Sequence, residues 1–121
     1  MRAQLPPTDF LTTTETVLPA DYRVMERYGV VRGIAVRSRS VVGLFGAKIQ
    51  QFFGGDISLL AELCEDTRSR SFAEAISHAR ALGANALVGV QYDATEVMPG
   101  VSEVLCYGTA MHIVRVKEPA A

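Results

Sequence analysis

The sequence predicts a two-layer α+β domain in which one long helix packs on an antiparallel sheet, with a β-α-β-β core. Three observations carry this. Apolar residues alternate along 22–39, 86–97 and 103–117, as they do on pleated strands. Between the first and second of these stretches, apolar residues recur at helical spacing from about Ser58 to Leu82. Glycine and proline punctuate the joints. A chain of 121 residues with 49 % apolar composition is of the size for a single domain with its own core.

Residues 1–21 are rich in proline and threonine and read as an N-terminal arm or edge strand. Within them Phe10–Leu18 suits a short β-branched strand at an edge. The single domain then spans 22–117, with a short tail at 118–121. In the first strand Tyr28, Val30, Arg32, Ile34 and Val36 fall on one face, and Gly29, Val31, Gly33 and Ala35 on the other. The second face is so small that a helix is expected to lie close against it.

In the following stretch Phe45, Ile49, Phe52 and Phe53 take helical spacing, which predicts a short amphipathic helix stopped by Gly54-Gly55. Asp56 or Ser58 can cap the next helix. That long helix carries two apolar patches: Leu60, Leu63, Cys64 and Thr67 centre on one direction, Phe72, Ala75, Ile76 and Ala79 on another. Unless the helix bends near Arg68–Ser71, its halves face different surfaces, one its own sheet and the other a neighbouring subunit. Asp66 with Arg70, and Glu74 with His78, are spaced as exposed ion pairs.

The next strand places Ala86, Val88, Val90, Tyr92 and Ala94 on one face, and Met98-Pro99-Gly100 turns it into a hairpin. The returning strand is apolar on both sides. Val104, Cys106, Gly108, Ala110 and His112 share one side; Leu105, Tyr107, Thr109, Met111 and Ile113 share the other. In a lone two-layer domain one sheet face should be wet and polar. Leu105, Tyr107, Thr109, Met111 and Ile113 are therefore the expected oligomer interface, each large apolar side chain contributing about 1.5–3 kcal/mol when covered.

Several function classes are disfavoured. Net charge is −1, with lysine only at 48 and 117, and Arg32, Arg37 and Arg39 are too sparse for a phosphate-binding stripe. Cys64 and Cys106 lie too far apart in sequence for a zinc motif and read as buried free thiols in a reducing cytoplasm. No apolar run suits a signal peptide or a membrane span, so a cytoplasmic protein is expected. No catalytic residue and no metal ligand is assigned. Cys106 and His112 share a face but stand roughly 20 Å apart along an extended strand, too far for one metal. His78 suits a solvated helix face and His112 an apolar strand. Asp93, Glu96 and Glu103 fit a soluble rim near the hairpin.

Four stretches bear a family resemblance: Gly29-Val-Val-Arg-Gly33, Phe52-Phe53-Gly54-Gly55, Ala79-Arg-Ala-Leu-Gly-Ala-Asn-Ala-Leu-Val-Gly89 and Gly108-Thr109-Ala110. Together they resemble the YbjQ-like family over residues 10–116. The resemblance implies a dodecin-like or YbjQ-like β-α-β-β unit assembled into pentameric rings with the sheets facing inward. It also brings that family's heavy-metal-binding label, without an established catalytic mechanism. One departure is plain: Asp56-Ile-Ser-Leu follows Gly54-Gly55 where many members carry an arginine, so an anion role for that arginine does not transfer. The expected function is accordingly a non-enzymatic homo-oligomer that binds a metal ion or small ligand, or else a purely structural assembly module. No cofactor is assigned, and neither nucleic acid nor membrane is an expected partner. Tyr107 and Arg32 are conceivable ligand contacts.

Overall fold

The computed structural model describes residues 10–37 and 57–116. The elements run β1 (Leu11–Thr13), β2 (Tyr22–Arg37), α1 (Ile57–Leu82), β3 (Ala86–Met98) and β4 (Val101–Arg115). The α+β reading holds: one helix packs on a four-stranded sheet of order β1-β3-β4-β2. The sheet is mixed, because β1 adds to β3 in parallel while β3–β4 and β2–β4 are antiparallel. The amphipathic stretch at 43–55 and the capping position Asp56 lie outside the described residues. Ser58 falls within α1, after its first residue.

α1 is one continuous helix. Its buried row is Leu63, Thr67, Ser71, Ala75 and Ala79, each four residues from the next. The expected split into two faces is therefore corrected. Thr67 and Ser71 bridge the two apolar patches, because each buries its hydroxyl after hydrogen bonding to its own helix. Thr67 Oγ1 donates to the Leu63 carbonyl at 3.0 Å and Ser71 Oγ to the Arg68 carbonyl at 2.8 Å. A row of fourth residues slants around a helix, which suits packing on a twisted sheet. Cys64, expected to be buried, is exposed.

Gly33 explains how closely helix and sheet approach. A Cβ there would lie 3.0 Å from the Glu74 carbonyl carbon, with Ser71 O and Ala75 N closer still. The tight helix contact expected of this strand is thus real, but Gly29 has no part in it. Nothing lies within 4 Å of a Cβ at Gly29, whose φ of 91° is instead demanded by a bulge.

Bulges also overturn two face assignments. Arg27 pairs with Met111 and Gly29 with Ala110, so Tyr28 is the extra residue and packs with the helix-side core rather than with Val30 and Ile34. In β3, Val88 pairs with Thr109 and Gln91 with Tyr107. Gly89 and Val90 together oppose Gly108, with Gly89 at a φ of 66°. Beyond this bulge Val90, Tyr92 and Ala94 lie on the helix side, whereas Ala86 and Val88 lie on the opposite side.

The core has two parts. On the helix side, Val31, Leu87, Val90, Cys106 and Ala110 pack with Ala75, Ala79 and Phe10. The Arg80 guanidinium stands 4.9 Å from the Phe10 ring centre. On the other side, Leu11 and Leu18 of the N-terminal arm and Tyr22 and Val24 of β2 pack on Ala86, Val88 and Ile113. Asn85 ties this region together. Its side-chain amide donates to the Ile113 carbonyl at 2.9 Å, and its side-chain oxygen accepts from the Ile113 N–H at 2.7 Å. The clamp completes the β4 ladder just before β3 begins. Asn85→Ala orphans both Ile113 groups and should cost about 2 kcal/mol, lowering Tm by roughly 8 °C in a thermal melt. An unchanged Tm would show that water replaces the clamp.

Candidate functional site

Strand register defines the sheet face away from α1. Val30 pairs with Thr109, Arg32 with Tyr107, Ile34 with Leu105 and Val36 with Glu103. β2 is an edge strand, and Val30, Ile34 and Val36 are 71 %, 41 % and 61 % exposed. Beside them Leu105, Tyr107, Thr109 and Met111 are half-buried. The Tyr107 hydroxyl donates to Gln91 Oε1 at 3.1 Å, which pins the ring across the sheet. Ile113 is placed differently. It is 1 % exposed beneath the chain's own arm, so a second copy could not reach it. The alternation along β2 made Val30, Ile34 and Val36 visible in the sequence as one face. Which of its residues stayed exposed depended on how far the arm reaches.

The helix side holds the second feature, an apolar cavity of about 380 Å³ between the N-terminal half of α1 and the far end of the sheet. Leu63, Tyr92, Ala94 and Val104 supply its apolar wall, with Cys64 and Arg68 on the helix rim. Arg37, at the end of β2, staples sheet to helix beside the cavity. Its Nε donates to Thr67 Oγ1 at 2.7 Å and a terminal nitrogen donates to the Leu63 carbonyl at 3.1 Å; Asp66 Oδ2 lies 3.4 Å away. Tyr92 and Cys106 adjoin one another here. Burial pushes the Tyr92 phenol above its ordinary pKa, the neighbouring Cys106 adds to the effect and Glu65 adds further, while Arg68 opposes it. Burial likewise raises the Cys106 thiol, against the hydrogen bond with Tyr92. Burial thus favours the neutral thiol over the thiolate at Cys106.

The remaining candidate ligands are scattered. His78 Nδ1 donates to the Arg32 carbonyl oxygen at 2.6 Å and so blunts the free edge of β2. His112 Nδ1 lies 3.4 Å from the Gly83 carbonyl. Cys106 is 0 % exposed and Cys64 lies on the outer rim of the cavity.

A family model described as "Putative heavy-metal-binding" matches residues 10–114. The chain belongs to this YbjQ-like family. It is 56 % identical over 108 residues to a UPF0145 protein of Solibacter usitatus, an overlap of 89 % of this chain and 95 % of that one. A UPF0145 protein of Burkholderia thailandensis is 56 % identical over 105 residues, and one of Burkholderia mallei 55 %; each overlap covers 87 % of this chain and 94 % of the relative. Neither the family's description nor these names specify a reaction. Among the described residues no three His, Cys, Asp or Glu side chains gather into a set that could hold the metal the description suggests. Also among the described residues, no helix is long and apolar enough to cross a membrane.

Proposed function

We propose that this YbjQ-like domain acts in the cytoplasm as a non-enzymatic homo-oligomer, a ring of five copies as the family resemblance implies, whose shared crevices take a metal ion or small ligand. The observation that supports this reading is the uncovered apolar stripe of Val30, Ile34 and Val36 beside Leu105, Tyr107, Thr109 and Met111. Arg32 interrupts the stripe between Val30 and Ile34, but exposed apolar surface of this kind is a liability on a monomer and an asset at an interface. A second copy is the fitting occupant. β2 presents a long edge strand alongside the stripe, and a net charge of −1 sets little repulsion between copies. Because the His and Cys side chains of a single described chain do not converge, a metal would need ligands from more than one subunit. Sedimentation velocity and native mass spectrometry at micromolar concentration test the assembly. A closed species of about five times the 13.1 kDa chain mass is expected, and a well-folded monomer would sink the reading.

A further inference from the structure

We propose that the cavity between α1 and the β3–β4 hairpin is a binding site for a small organic anion, one with an apolar body and a single acidic group. It lies on the face of the sheet opposite the proposed subunit contact, so it stands or falls separately from the ring. At about 380 Å³ it is in the size range of small-molecule pockets. Leu63, Tyr92, Ala94 and Val104 offer the body an apolar bed.

The charge of the acidic group follows from what lines the rest. Arg68 is exposed at the rim and has no carboxylate partner among the described residues. Arg37 is shared with Asp66, which also pairs with Arg70 at 3.2 Å. Asp93 is the one acid in the lining. It pairs with Leu105 and so carries its side chain to the other face of the sheet, away from the cavity. Glu65 acts on the Tyr92 hydroxyl more strongly than Arg68 does, but unlike Arg68 it is not part of the cavity lining that a ligand would touch. Arg37 is already engaged by Thr67, the Leu63 carbonyl and Asp66, so Arg68 is the guanidinium in the lining left to meet an acidic group; an apolar cavity with that cation on its wall favours an anion over a neutral or cationic ligand of the same shape. The lining offers a metal cation little: one thiol, Cys64, and one phenol, Tyr92.

Two fluorescent probes test this on the whole chain. 1-Anilinonaphthalene-8-sulfonate has an aromatic body and one sulfonate; N-phenyl-1-naphthylamine is nearly the same body without the charge. One saturable site per chain is expected for the sulfonate. Arg68→Gln should weaken it about tenfold while leaving the neutral probe unchanged. Ala94→Trp, at an exposed strand position that lines the cavity, should abolish both. A measurement on the unaltered chain guards against misfolding of the variants. The sulfonate should slow alkylation of Cys64 by iodoacetamide, read by peptide mass spectrometry, since Cys64 is the exposed thiol and lines the same cavity. Failure of the sulfonate to bind, equal weakening of both probes by Arg68→Gln, Cys64 alkylation that the sulfonate does not slow, or undiminished binding with Ala94→Trp in place would overturn the proposal; the last would mean adsorption on the open sheet face.

Discussion

Gly33→Val is expected to abolish cooperative folding, or to leave a domain destabilised by more than about 3 kcal/mol. The new Cβ would run into the helix backbone at Ser71, Glu74 and Ala75, not into a side chain that can rotate away. Relief would require α1 to lift from β2. Lifting it would open contacts at Ala75 and Ala79 and expose Cys106, the cross-strand partner of Gly33. A small domain holds roughly 5–15 kcal/mol in total, so a loss of this size is most of its margin. Gly29→Ala is the control on the same strand. It meets no neighbour and pays only for a left-handed backbone, about 1–2 kcal/mol. Urea unfolding followed by far-UV circular dichroism would report both. Equal costs for the two variants would refute the close helix contact at Gly33.

The second large effect concerns assembly. Val30→Asp combined with Ile34→Asp is expected to give a folded monomer. Both side chains stand on the open face, Val30 71 % and Ile34 41 % exposed in the single chain, so carboxylates there can reach water and cost the protomer little. In the proposed ring two carboxylates per copy would be stripped of water with the single Arg32 between them to meet both, and five-fold repetition would compound the cost at every contact. A fall in association of roughly a hundredfold or more is expected, read as a shift to the single-chain mass with an unchanged thermal melt of the protomer. If the assembly persisted, the subunit contact would have to lie elsewhere than on the β2 stripe.

Much of this molecule can be read without coordinates. The long helix, the Pro99-Gly100 hairpin and the small face of Val31, Gly33 and Ala35 all declare themselves through spacing, because each depends on neighbours a few residues away. The two-sided apolar character of β4 is equally plain, and so is the family, through Gly29–Gly33 and Ala79–Gly89. The cavity was not legible. Its wall is assembled from α1, β2, β3 and β4, and Tyr92 and Ala94 reach it only because a bulge at Gly89 reverses the strand's alternation.

The sequence by itself determined the element order, the helix-on-sheet architecture and the surplus of apolar surface on the last strand. Only the tertiary structure decided how that surplus is shared. The N-terminal arm covers Ile113, Thr67 and Ser71 carry the helix contact between its apolar patches, and the open stripe is left to Val30, Ile34 and Val36. The physical reason is range. Periodicity reports which side a residue would face in an unbroken strand or helix, whereas bulges, buried hydroxyls and a folded-back arm arise from pairing partners distant in the chain.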